Sequence, residues 1–239
     1  MGSGNRMSTG MREGGLMAVT LGEEVALLAL DDHSGAAKNR SAAGWAVAGG
    51  VLLDLTLAGR VAVVDERLTV TDPTPTGDAL LDGRLVKIAE WSERDSKAKV
   101  GDWLGKDQPK ALEAAVENLC ARGVVTEHKH RTLGIFTTRR YPEVDGTAER
   151  ELRHRLEDVV RYGAEPDERT TGLIALLHAA GLHTVAFPGV ARKQVAPRME
   201  AIAEGQWVAE DIRQAIQEMQ AVLVAVMTAT TAATTVATM

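Results

Sequence analysis

Residues 45–58, WAVAGGVLLDLTLA, constrain this chain more than any other stretch. Only Asp54 and Thr56 interrupt an otherwise apolar run, so a helix made of these residues has no face to offer to water. Such a helix belongs at the centre of a bundle, with other helices around it. Gly59 can adopt the positive φ that ends a helix, and Arg60 follows it. Residues 61–64 and 68–70 then read as two short strands about a polar turn at 65–67. Asp72, Pro73, Pro75 and Gly77 break the chain before a helix begins at residues 78–90.

Helices recur on both sides of this unit. Thr20 caps a helix reaching about residue 30, and Glu23 stands where a capping box needs it. A polar loop at 31–42 carries His33, Lys38 and Arg40, and a charged linker covers 92–99. Residues 100–104 read as a short helical turn, and Pro109 as the first residue of a separate helix through Cys120 that Gly123 ends. A second hairpin is expected from strands at 124–126 and 133–137, with Lys129, His130 and Arg131 as its turn. Helices at 148–162, 167–180, 191–203 and 206–227 complete the pattern, with a turn at Phe187, Pro188 and Gly189. The expected fold is mainly α: a single-domain helical bundle over 18–228 around a buried central helix, with two short β-hairpins. Residues 1–17 read as a disordered segment and 229–239 as a frayed Ala/Thr-rich tail. Trp45 and Trp207 are expected to pack, while Trp91 and Trp103, near the polar linker, are expected to reach the surface.

Composition narrows the function classes. Only 3% of the 239 residues are aromatic, so the core must be built from Leu, Val and Ala. A net charge of −6 argues against general affinity for nucleic acid, which needs a basic excess. The lone Cys120 excludes an internal disulfide and fits a reducing cytosol. Residues 1–15 lack the apolar core of a signal peptide, and no run reaches the roughly 20 apolar residues of a membrane span. The expectation is a soluble cytoplasmic chain whose membrane contact, if any, is peripheral. The sequence lacks a nucleophile elbow, a Walker loop, a dinucleotide fingerprint and an H-E-x-x-H zinc motif. His128 and His130 alternate along a hairpin, but Lys129 and Arg131 among them would repel a metal. Asp31 and Asp32 sit at a helix end, where solvation accounts for them. Neither an enzyme, a cofactor nor a metal centre is expected.

The basic residues say more. Arg122, Lys129, Arg131, Arg139 and Arg140, with His128 and His130, are opposed in their segment only by Glu127. One reading is a solvated turn; another is contact with anionic lipid, worth about 1 kcal/mol per cation near such a surface; a third is an acidic protein partner. Helix followed by hairpin is also the layout of winged-helix DNA readers, but the net negative charge counts against that reading.

Four phrases in order carry a family resemblance: LGEEVALLALDD at 21–32, GGVLLDLTLAGRV at 49–61, PTGDALLD at 75–82 and NLCARGVVTE at 118–127. Together they closely resemble the Golgi phosphoprotein 3-like proteins, which share an L-x-E-L-x-L-x-G-R phrase followed by P-T-G-D-x-L-L-D. The resemblance spans residues 19–228, and the low aromatic content suggests a bacterial relative. It implies an α-helical bundle that sits on membranes by binding phosphatidylinositol 4-phosphate and that binds cytoplasmic tails of resident enzymes. It also implies a headgroup pocket made of a Trp, which can sit at the interface, and three Arg, whose paired donors match phosphate. Counted without gaps, those four positions fall on Asn39, Ala48, Pro109 and Leu112, none of them kept. Lys38 and Arg40 flank the first position, and Lys106 and Lys110 bracket the third. These four cations are the expected anion site, with ordinary surface charge as the alternative. The expected partners are therefore anionic phospholipid, including a phosphoinositide, together with protein tails and a second copy of the chain. The rival readings are an adaptor without lipid affinity and a winged-helix nucleic-acid binder.

Overall fold

The computed structural model of the protein describes residues 19–31, 37–94, 99–132, 136–205 and 210–236. The apolar stretch forms α2 (Arg40–Leu57). From Ala43 to Leu55 every residue is buried except Trp45, which packs half-buried at the edge of the core. Helices α1 (Leu21–Ala29), α3 (Ala79–Arg94), α4 (Val100–Ala121), α6 (Glu168–Ala179) and α9 (Glu210–Val236) all pack against it. A helix without a polar face is solvated by other helices, as its sequence requires.

Small residues set how close those neighbours come. A Cβ added at Gly50 would lie 2.8 Å from the Gly22 nitrogen, so α1 and α2 cross backbone to backbone. Helix α1 begins with the expected capping box: Thr20 Oγ1 accepts from Glu23 N at 3.1 Å, and Thr20 N donates to Glu23 Oε2 at 2.7 Å.

After α2, Gly59 takes φ +67° and the chain enters the first hairpin, β1 (Val61–Val64) and β2 (Arg67–Val70). Val61 pairs with Val70 and Val64 with Arg67, antiparallel. Asp65 and Glu66 both have positive φ, which makes the turn two residues long and moves Arg67 from the expected turn into the strand. Asp78 then caps α3 through Oδ1, which accepts from Leu80 N and Leu81 N at 2.9 and 3.0 Å. Helix α3 runs on to Arg94, past its expected end near residue 90.

Helix α4 departs furthest from the sequence reading. It is one helix with Pro109 inside it, not a short turn followed by a helix that proline starts. Val100, Trp103, Leu104, Asp107, Ala111, Leu112 and Ala115 are buried along one side, across the proline. Burial of that continuous stripe outweighs the single backbone hydrogen bond the proline forgoes. Trp103 is consequently buried, with Trp91 tilted against it at 5.6 Å between ring centroids. The expected exposure does not occur at Trp103, while Trp91 is half-buried.

The second hairpin also shifts. β3 (His128–Thr132) pairs antiparallel with β4 (Phe136–Arg140), so Lys129, His130 and Arg131 lie within a strand and not at the turn. Below it, Thr126 N donates to the Pro142 carbonyl and Val144 N to the Val124 carbonyl, both at 3.0 Å. The two hairpins are separate two-stranded sheets. Next come α5 (Thr147–Val160), α6 with Asp167 as its side-chain cap, a four-residue α7 (His183–Ala186) that the sequence reading lacks, and α8 (Arg192–Ala203). Helix α9 continues to Val236, through much of the tract expected to fray, in keeping with the high helix propensity of alanine. Trp207 lies outside the described residues. Leu, Val and Ala dominate the core, as the composition requires.

Candidate anion-binding face

The expected anion site draws on two helices, and the structure separates its members into two groups. Asn39 precedes α2 in a left-handed conformation (φ 47°) and makes no side-chain cap. Lys38 beside it donates its backbone N–H to the Ala29 carbonyl at 2.7 Å, and its ammonium lies 3.0 Å from Asp31. Arg40, the first residue of α2, is exposed. One turn further on, a Cβ at Gly44 would lie 2.9 Å from the Gln108 carbonyl, and Gln108 Nε2 donates to the Ser41 carbonyl at 3.3 Å. The start of α2 therefore rests on the Gln108 side of α4.

Lys106 and Lys110 stand two residues before and after Gln108, which on a helix places them about 200° around from it. They share an exposed face of α4, one turn apart, turned away from α2. Of the family's gap-free positions, Ala48 and Leu112 are buried in the core, while Pro109 and Asn39 are exposed. Lys38 and Arg40 thus lie at the start of α2, and Lys106 and Lys110 on the far face of α4.

The hairpin cations divide as well. Arg122 does not belong to the hairpin: its guanidinium lies 2.6 Å from Glu23, which is fully buried, and 3.9 Å from Asp78. The backbone register sets Lys129 opposite Arg139 and His128 opposite Arg140. Arg131 falls opposite Thr137 on the same strand pair.

A buried polar network occupies the side of α2 where its apolar run breaks. Asp54 accepts from Leu21 N through Oδ2 and from Arg169 through Oδ1, both at 2.5 Å. Arg169 also reaches the Val19 carbonyl and Glu24, and Glu24 lies 2.8 Å from Arg155. Burial pushes the Asp54 carboxyl up to about 6, against the pull of Arg169 and the Leu21 N–H. Burial raises Glu23 too, opposed by the Thr20 N–H, Arg122 and Asn118. These groups tie α1 to α2, α4, α5 and α6, and they consume arginines that the sequence alone leaves unassigned.

Among the described residues, Arg60, Arg84, Arg122, Arg153, Arg155, Arg161 and Arg169 each pair with a carboxylate. Arg40, Lys106 and Lys110 have no such partner among the described residues and are exposed. Arg67, Lys87, Arg192 and Lys193 are also exposed without a carboxylate partner among the described residues. A cleft of about 160 Å³ between α1 and α5 is of opposite character, lined by Leu27, Leu30 and Pro142 with Asp31, Glu143 and Glu149. Burial and the neighbouring Glu149 and Asp145 raise the Glu143 carboxyl, opposed by the Glu149 N–H and Arg150. Among the described residues no group of three or more His, Cys, Asp or Glu side chains could hold a metal ion.

Fold and surface together define a helical protein with exposed cations on an acidic chain, in which no described helix is long and apolar enough to cross a membrane. The family model for Golgi phosphoprotein 3 (GPP34) matches residues 21–219, and the chain belongs to that family.

Proposed function

We propose that the protein is a non-enzymatic peripheral membrane protein that binds anionic lipid headgroups on the cytoplasmic face, phosphatidylinositol 4-phosphate among them. The observation that carries this reading is the exposure of Arg40, Lys106 and Lys110 without carboxylate partners, in a chain whose other described arginines are mostly paired. Lys106 and Lys110, which share one face of α4, are together worth about 2 kcal/mol near an anionic surface, roughly thirtyfold in affinity. Because Lys106 and Lys110 face away from the start of α2, the contact is a spread of charges on a surface rather than a closed headgroup cradle, and salt should weaken it steeply. Protein tails engaged at the membrane are the second class of partner the family suggests.

The test is charge reversal at Arg40→Glu, Lys106→Glu and Lys110→Glu together, read by co-sedimentation with anionic liposomes. Binding should fall at least tenfold while the folded fraction is unchanged. Undiminished binding would overturn the reading and favour an adaptor without lipid affinity.

A further inference from the structure

We propose that His178 and His183 form an acid-sensitive latch that holds the corner between α6, α7 and α8 closed. His178 sits in the last turn of α6, Gly181 reverses the chain at φ +68°, and His183 opens α7. The reversal brings His183 Nε2 to 3.1 Å from His178 Nδ1, with the rings edge to face and their centroids 5.0 Å apart. His183 is only 1% exposed, while the His178 ring is half-buried.

An imidazole–imidazole hydrogen bond needs one N–H and one lone pair. A singly protonated pair still has both. A doubly protonated pair does not: two N–H groups then face each other at hydrogen-bond distance, and the contact becomes repulsive. The two protonation steps belong to the pair and not to either ring.

The surroundings set where that happens. Burial is the largest influence on each ring and favours the neutral form, so both titrate below the ordinary imidazole range. Arg192 at the start of α8 pushes both the same way, and His178 adds to the effect on His183. Glu200 of α8 favours charge on His178, and the Gly181 carbonyl favours it on His183. The α6 dipole also favours a cation in its last turn. At the other end of α7, Arg153 of α5 donates to the Val185 and Ala186 carbonyls at 3.0 Å each. Glu23 and Glu24 of α1, which also packs on α7, are engaged with Arg122 and with Arg155 and Arg169.

With depressed imidazoles the closed corner binds fewer protons than the open one below the ordinary histidine range. Its stability is complete above that range and is lost as pH falls through the pair's own titration. Opening uncovers Val185 and Phe187, both buried in the closed form. The device thus couples acidification to exposure of an apolar segment.

Hydrogen–deuterium exchange on the full chain at pH 7.5 and 5.5, corrected for intrinsic exchange chemistry, tests it. Peptides covering 181–191 should exchange several-fold faster at the lower pH. Peptides within α2 should not follow. Asp54 titrates in the same range but favours folding in acid, so it cannot mimic the response. His183→Phe should abolish the pH dependence at 181–191; if it does not fold, His178→Asn, at the half-buried ring, is the second variant. A flat wild-type response, or the same acid response in a folded variant, would overturn the proposal.

Discussion

Gly50→Ala should be among the most damaging single-methyl additions in this protein, and the structure says by how much. The new Cβ would stand 2.8 Å from Gly22 N, 2.9 Å from Leu21 C and 3.1 Å from Gly22 Cα. All three are backbone atoms of α1 and cannot swing aside. Restoring a contact of 3.4 Å parts the helices by about 0.6 Å, the difference between 3.4 and 2.8. A gap of that size forfeits roughly a quarter of the dispersion energy along the seam, and overpacking of this kind costs about 1–3 kcal/mol, here near the upper end. Replacing a helical glycine returns about 1 kcal/mol of propensity. The net loss is about 2 kcal/mol, or a fall in Tm of about 4–8 °C for a chain of this length. Gly83→Ala in α3 is the control, because a Cβ there meets nothing within 4 Å and the residue is exposed. It should gain the propensity term alone, about 1 kcal/mol. Urea denaturation and thermal scans of both variants settle the comparison. If Gly50→Ala is as stable as Gly83→Ala, the α1–α2 crossing is not the close contact described.

Asp54, raised to about 6 from an ordinary 3.8, contributes stability that is fully present below about pH 4 and is lost as pH rises through 6. The stability of the wild type minus that of Asp54→Asn should therefore fall by about 3 kcal/mol between pH 4 and pH 7 in urea titrations; a flat difference would contradict the burial. Arg122→Ala leaves the buried Glu23 without its cation and should destabilise by about 3 kcal/mol. The folded fraction should still bind anionic liposomes as the wild type does, because Arg122 faces the interior and not the hairpin.

Features governed by local chemistry were legible in the sequence. The all-round apolar character of α2, the Thr20–Glu23 capping box and the Gly59 stop appear in the structure as read. What failed was decided by distant residues. Pro109 suggests a helix start locally, but the buried stripe from Val100 to Ala115 carries the helix through it. Lys129 to Arg131 look like a turn until the pairing with 137–139 makes them strand. Arg122 reads as a hairpin cation because its partner, Glu23, lies 99 positions away. The anion-site expectation rests on sequence distance alone; the helical phase of Lys106 and Lys110 on α4 shows only in three dimensions. Asp54 was visible only as a flaw in an apolar run; its reason is Arg169, 115 positions on.

The most direct test of the functional account is co-sedimentation of the wild-type protein with three liposome sets: neutral, generically anionic, and doped with phosphatidylinositol 4-phosphate at equal total charge, each at low and high salt. The account predicts binding to both anionic sets that is lost in salt, with little retention on neutral vesicles. A preference for the phosphoinositide at equal charge would add headgroup recognition to that surface. Equal retention on neutral and anionic vesicles, or no binding to any set, would contradict it.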